Sequence, residues 1–361
     1  MTQPRRRMTQ SRLRRSNGMA RCALIPIIGL LAAGCGGAEG DGGEAAGAAA
    51  GESCYSGEAL TMVVSYGAGG GYDMIARAAA PYLKDELGAT AVVVENQEGA
   101  GGLTAANRIF TEDADGMTVG FFSGQGLVGS VLGGSAGAGF DVGEFSYIAR
   151  VAEDPRVLTV GAKSGFKTVE DLQEAGQIRF ASAGPGGSDH IDQSVLFPVL
   201  GIDAKVITGY KGSSETELAV TSGDADAAAG TLGTRLSAIK SGDHLAVLLI
   251  GEERAEEIPD TPALLELDLD DDKRALAEAH TKLQKVGRAV LGPPGMPEDC
   301  VVELGDAMKA TLENDEFLAT MKKSDQGVSF LPGDELKQVV QSVLDAPADY
   351  KELLKAAYQG Q

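Results

Sequence analysis

Two glycine-rich segments hold the residues best suited to chemistry. They are Ser65-Tyr66-Gly67-Ala68-Gly69-Gly70-Gly71-Tyr72-Asp73 and Ser182-Ala183-Gly184-Pro185-Gly186-Gly187-Ser188-Asp189-His190. Each follows a short apolar run and precedes residues with helical spacing. Glycines at a strand-to-helix turn expose backbone N–H groups, and the first turn of the helix adds unsatisfied donors with a partial positive charge. Such a place holds a carboxylate or phosphate without any Lys or Arg, and neither segment contains one. A tight turn capped by Asp or Ser would use the same residue types. One loop alone leaves both readings open; two, in different halves of the chain, point to a shared cleft. A side chain at Gly70 or Gly186 would then block close approach or forbid a positive φ. Asp73 could cap its helix or read a ligand amino or hydroxyl group. His190 could face the ligand or sit in the core.

Enzyme and metal motifs fare worse. The first loop is where a dinucleotide loop would lie, but G-x-G-x-x-G fails because position 72 is Tyr, and the dipeptide Gly-Lys of a P-loop occurs nowhere. Gly133-Gly134-Ser135-Ala136-Gly137 matches G-x-S-x-G, which needs a strand before it and a helix after it. It lies in a glycine-rich stretch where such matches arise by chance. A hydrolase or transferase reading rests on it alone. His190, His244 and His280 have no His or Cys neighbour at ligand spacing, and C-x-x-C is absent, so no metal site and no cofactor are expected.

Charge narrows the partners. The chain has 361 residues, with 31 Lys+Arg against 52 Asp+Glu, a net charge of -21, and no Trp. Only the first 21 residues are strongly basic. A nucleic-acid binder working by phosphate neutralisation is excluded on this balance.

That basic start carries Arg5, Arg6, Arg7, Arg12, Arg14, Arg15 and Arg21 and leads into an apolar run, Ala23 to Ala33. The run is too short to span a bilayer, which takes about 20 residues, and reads as an export signal. It ends Leu30-Leu31-Ala32-Ala33-Gly34-Cys35, which resembles the lipobox of bacterial lipoproteins and implies a signal peptide over 1–34 with lipid on Cys35. An ordinary cut near Gly34 is the alternative. Residues 35–54, chiefly glycine, alanine and acid, read as a flexible tether. Removing residues 1–34 takes away seven arginines and no acid, leaving -28 on 327 residues. Cys54 and Cys300 remain. In an oxidising compartment they form one disulfide or stay as two buried thiols.

Apolar runs and helical spacings alternate through the body. Strands are read at 59–65, 91–94, 178–181 and 286–291, and helices at 70–87, 191–200, 301–312 and 333–358. Further helix-like and strand-like segments lie at 118–122, 145–151, 157–160, 169–175, 205–207 and 246–250. This alternation predicts an α/β fold with parallel sheets covered on both faces.

With those motifs in order, the chain resembles the solute-binding proteins of tripartite tricarboxylate transporters, the tricarboxylate-binding or Bug family. That family's V-V-P-F-P-A-G-G-G-T-D followed by x-x-A-R is similar to Val63 through Asp73 with Ala76-Arg77. Its V-V-V-E-N-x-x-G-A-G-G matches Val92 through Gly102. Its A-S-A-G-x-G-S-x-x-H matches from Ala181 to His190, and its P-Y-K-G matches Gly209-Tyr210-Lys211-Gly212. Ile258-Pro259-Asp260-Thr261-Pro262 and Gly292-Pro293-Pro294-Gly295-Met296-Pro297 match two later segments. Ser65 and Gly67 replace family prolines, Gly187 replaces a Ser or Thr, and the acidic stretch 267–285 has no counterpart.

The resemblance implies two doubly wound α/β domains with a ligand cleft between them, residues 55–155 with 286–361 and residues 156–285. It implies a non-enzymatic, monomeric receptor that passes a small carboxylate to a large and a small membrane subunit, or else a sensor. The ligand would meet the first loop, Ser65 to Asp73, and Ala183, Gly184, Gly186, Ser188, His190, Tyr210 and Lys211 from the second half. Both cysteines would fall in the first domain. The acidity does not forbid an anion, because charges are screened over about 8 Å at physiological salt while a body of this size has a radius of gyration of roughly 20 Å.

Overall fold

The computed structural model describes residues 53–184, 187–210, 212–324 and 326–359. The basic leader, Cys35 and the tether as far as residue 52 lie outside the described residues, as do Gly186 and Lys211. In chain order the first elements are β1 (Ala59–Val64), α1 (Gly71–Glu86), β2 (Ala91–Asn96), α2 (Leu103–Thr111), β3 (Thr118–Ser123), α3 (Gly124–Leu132) and β4 (Ser146–Ala152). Then follow β5 (Arg156–Gly161), α4 (Val169–Glu174), β6 (Ile178–Ala181), α5 (Ser188–Leu200), β7 (Ala204–Ile207), α6 (Ser213–Ser222), β8 (Ala227–Thr231), α7 (Leu232–Ser241) and β9 (His244–Ile250). The chain ends with α8 (Asp271–Lys285), β10 (Arg288–Gly292), α9 (Glu298–Leu312), α10 (Asp315–Lys323), β11 (Leu331–Pro332), α11 (Gly333–Leu344) and α12 (Ala348–Gln359).

The strands form two sheets, β11-β4-β10-β3-β1-β2 and β7-β6-β8-β5-β9. Both are mixed, which corrects the expectation of parallel sheets. β1 pairs in parallel with β2 and β3, and β6 with β7 and β8. β10 is antiparallel to both β3 and β4, and β5 is antiparallel to both β8 and β9. Most strands joined by a helix within one sheet run the same way, as a helical crossover requires, but β5 and β6, joined through α4, run opposite ways, since β5 is antiparallel to β8 and β6 parallel to it. Apart from β11, also reversed at the edge of the first sheet, the reversed strand in each sheet, β10 or β5, arrives from the other sheet. It slots between two parallel-running strands, and alternation along the chain cannot reveal that.

Several elements were invisible to periodicity. α3 reads GQGLVGSVL, poor helix-forming material. Its glycines answer to packing: a Cβ on Gly124 would collide with the Val286 side chain, and one on Gly133 with the Tyr358 ring. The helical stretch 333–358 is two helices, α11 and α12, parted next to Pro347, where a proline ends the preceding helix. The acidic stretch 267–285 is largely α8. Asp270 caps it, Asp271 and Asp272 sit in its positive first turn, and Lys282 and Lys285 lie in the last.

One apolar core joins residues of both sheets, with Phe122 and Leu127 beside Phe180, Ile191, Leu283 and Tyr350. Its helical layer is α3, α5, α8, α11 and α12, packed on one another. A second core, with Leu60, Ile75, Phe121, Leu304 and Phe317, lies on the other face of the first sheet. No helix among the described residues is long and apolar enough to cross a membrane.

Cys54 and Cys300 are bonded, with Cα atoms 5.5 Å apart, and tie the segment before β1 to α9. Closing so long a loop restricts the unfolded chain by up to about 5 kcal/mol in the chain-entropy model. Cys300→Ser is therefore expected to lower the melting temperature by several degrees and to remove the effect of added reductant. A reductant-insensitive wild type would contradict this.

Candidate functional site

Strand register brings the two loops to facing edges. In the first sheet Val64 lies beside Phe121, Ser123 beside Arg288, and Arg288 beside Ala152. In the second, Arg156 lies beside Thr231 and Ile250. The ends of β1, β3 and β4 thus share an edge with the start of β10, and the ends of β8 and β9 share one with the start of β5. Glu153-Asp154-Pro155 links the two edges. The first loop leaves β1 there, and the second leaves β6 next to β8. A cavity of about 860 Å³ opens beside the link, lined from the first sheet's side by Arg288 and Gln326 and from the second's by Thr231 to Thr234.

The first loop is bound to its own helix. Asp73 accepts from the Gly69 amide at 2.8 Å and from Arg77 Nε at 2.8 Å. Burial works against its charge, yet hydrogen bonds from Arg77 and Gly69 outweigh that and hold the carboxyl below its ordinary range. Asp73 thus braces the loop from the first turn of α1, whose N-cap position is Gly70 and takes no side-chain bond. Ser65 is buried, and its hydroxyl donates to the Phe121 carbonyl at 3.0 Å. Ala68, Gly69 and Gly70 are exposed. Gly69 needs a positive φ, +80°, whereas Gly70 has φ -77°, open to any residue. The conformational demand placed on Gly70 falls on Gly69 instead.

Aromatic and charged side chains back this loop. Tyr66 and Tyr72 stack with ring centroids 4.7 Å apart, and Tyr72 lies 5.1 Å from Phe121. Burial pushes both phenols up, so they stay protonated. The Arg288 guanidinium sits over Tyr72, 4.9 Å from the ring centre. Arg288 also grips Asp154, with Nη2 to Oδ1 at 2.7 Å, and donates to Gln326 at 2.8 Å. Burial opposes its charge, and Asp154 overrides it and raises its pKa.

The second loop repeats the design. Asp189 takes the Ala183 amide at 2.6 Å, and the Ser182 hydroxyl takes that of Gly184 at 3.1 Å. Gly184 has φ +112°. Ser188 opens α5 and is half-buried. His190 is buried, with Nδ1 3.1 Å from Gln193 Nε2 and 3.4 Å from Ser182 Oγ, so this side of the ring is turned inward. Tyr210 is half-buried against a small apolar cluster of Ala181, Ala219, Val220, Ala225 and Ala228.

One turn into α5, Asp192 is wholly buried. It pairs with Arg156 and accepts from Gln284 Nε2 at 2.9 Å and Gln125 Nε2 at 3.2 Å, with His280 Nε2 also at 3.2 Å. His280 in turn meets the Tyr350 hydroxyl at 3.1 Å. Burial alone would raise this carboxyl, but Arg156 and His280 hold it below its usual range. Sequence reading missed Asp192, Arg156, Asp154, Arg288 and Gln326. Each is a lone polar residue whose partner lies far away in the chain, so no spacing betrays it. Ser135, the G-x-S-x-G serine, follows α3 rather than a strand and donates its amide to the Ser130 carbonyl, so the nucleophile elbow is absent.

Two mixed α/β sheets joined by a short link, with glycine loops at the facing edges, define the class of periplasmic binding proteins. The chain belongs to the tripartite tricarboxylate transporter family receptors (TctC), whose profile matches residues 75–356. This is a family of solute-binding receptors, not enzymes. The structure resembles a ligand-free TctC solute-binding protein from Polaromonas, at 21% identity and TM-score 0.67 over 82% of this chain and 98% of that one. It also resembles MatC from Rhodopseudomonas palustris with bound malate, at 21% identity and TM-score 0.62 over 82% and 99%. A third likeness is to an R. palustris protein with adipate, at 20% identity and TM-score 0.63 over 83% and 97%.

Removing Asp192's charge strands Arg156 in the core. Asp192→Asn is expected to cost about 3–5 kcal/mol, read as a fall in urea midpoint. Glu266→Gln, at the exposed Arg254–Glu266 pair, should leave it nearly unchanged. Equal effects would refute the distinction.

Burial also lowers the pKa of His190 and of His244 below 6.5. The unfolded chain then takes up protons first as pH falls. Stability present above pH 6.5 is lost below it, down through the folded values. Denaturation across pH 7 to 5 should show this slope, and His244→Gln should flatten it.

Proposed function

We propose that this chain is an exported, lipid-anchored receptor that captures a small carboxylate between its two sheets and hands it to the membrane subunits of a tripartite transporter. The basic and apolar leader ending at Cys35 supports export and anchoring. Family membership supports the transporter, and the neighbours holding malate and adipate support a dicarboxylate. The observation that carries the reading is the pair of glycine loops, each following a strand and opening a helix, with Arg288, which lines the cavity, set against the first of them. Open helix-first-turn amides at Gly71 and Tyr72, and at Ser188 and Asp189, suit the two ends of such a ligand. Ser188, His190, Tyr210 and Lys211 would line its second end. We assign residues 55–155 with 286–361 to one moving half and 156–285 to the other.

Titration calorimetry against di- and tricarboxylates, amino acids and neutral solutes tests this. Wild type should bind a carboxylate. Gly69→Val and Gly184→Val force a side chain into a positive φ, which strains the loop, and should weaken binding by about tenfold or more with the circular dichroism unchanged. Selection of an uncharged solute, or normal binding by both variants, would defeat the site assignment.

A further inference from the structure

We propose that Arg288 is the cation of the ligand site and that Asp154, on the link between the sheets, occupies it as an internal carboxylate which the ligand's carboxylate replaces. This rests on the receptor reading above and adds the group that answers the ligand's charge, since neither glycine loop holds an Arg or Lys. Asp154 meets Arg288 with both carboxylate oxygens, Nε lying 2.9 and 3.1 Å from Oδ1 and Oδ2 and Nη2 2.7 Å from Oδ1, a charge-assisted contact of the kind a ligand carboxylate can make. Arg288 also lies against the first loop. Its Nη1 is 3.5 Å from where a Gly71 Cβ would stand, at the open first turn of α1, and Tyr72 supports the guanidinium from below.

Access separates Arg288 from the other deeply placed arginines. Arg156 and Arg235 have side chains 6% and 0% exposed and are closed in by their partners. Arg288 and Asp154 keep 13% and 21% and both line the cavity of about 860 Å³. An anion entering that cavity reaches the guanidinium without opening the core. Gln326, 2.8 Å from Nη1, holds the fork in place during exchange. The displaced Asp154 keeps the Tyr72 hydroxyl, 3.3 Å away, as a donor. Because Asp154 belongs to the link, its release frees the link from β10 as the ligand arrives, so binding and movement of the sheets share one exchange.

The rival is a fixed structural clamp. Calorimetry with malate and with adipate decides between them, using wild type, Asp154→Asn, Arg288→Gln and the double variant, with Asp154→Ser in reserve should the first fail to fold. Removing the internal occupant frees the binding-competent state, so Asp154→Asn should bind at least about tenfold more tightly. Arg288→Gln should lose binding, and the double variant should lose the gain. Binding by Asp154→Asn alone, with wild type silent, also supports exchange. A gain that survives in the double variant is a mere long-range charge effect and overturns the proposal. So does an Asp154→Asn affinity no tighter than that of a binding wild type, which leaves the receptor reading intact. Binding by none of the proteins overturns both.

Discussion

The buried carboxylate of Asp192 is the constraint on which the rest depends. A lone charge in an apolar interior is ruinous, and one is tolerated only when paired and fully hydrogen-bonded. Asp192 meets that demand by drawing in groups from four elements: Arg156 at the start of β5, Gln125 at the start of α3, His280 and Gln284 on α8, and, through His280, Tyr350 on α12. Those elements come from both sheets. If any were placed elsewhere, a charge or an amide would be left without a partner. The network therefore sets where α5 points, and the second glycine loop is the entry to α5. It also fixes Arg156, the first residue after the link. A packed oily core tolerates slippage; this arrangement does not.

Charge elsewhere is handled by the same local accounting. Several acids near the link and the first loop are matched by arginines: Asp73 by Arg77, Asp154 by Arg288, and, in the second sheet's half, Glu217 by Arg235. In both loops a carboxylate from the following helix already occupies a backbone amide, Asp73 at Gly69 and Asp189 at Ala183. These loops therefore hold their shape without a ligand. Glu153 and Glu257 line the cavity as well as Asp154, so an anion there depends on donors within hydrogen-bond reach, while acids beyond about 8 Å are screened.

What the sequence disclosed follows from the range of the forces involved. Strands such as β1 and helices such as α1 write themselves in a local period, and both glycine loops are contiguous. The two-sheet architecture was legible only through the family resemblance, because alternation alone predicts parallel sheets. The direction of β5 and β10 depends on which neighbours receive a strand arriving from the other sheet. α3 was hidden because its glycines serve Val286 and Tyr358, more than 150 residues away. The site was half legible for the same reason. Backbone donors are announced by glycine, but Arg288, Asp154 and Gln326 come together only in space.

The inserted strands also decide how the two sheets can move. β5 enters the second sheet directly after the link, and β10 re-enters the first where Arg288 meets Ala152 and Ser123. Both passages lie at the same edge, so the sheets can pivot there with little change along the strands. On the helical side, however, α3, α5, α8, α11 and α12 share one apolar core with both sheets. Opening that side would expose Ile191, Leu283 and Tyr350, and burying apolar surface contributes about 25 cal/mol per Å². A hinge bounded by a packed layer on one flank and a short link on the other has one soft direction, toward the cavity where Arg288 and Asp154 lie. Movement in that direction leaves the Asp192 network closed, so the charge at the centre stays paired while the site changes shape around its ligand.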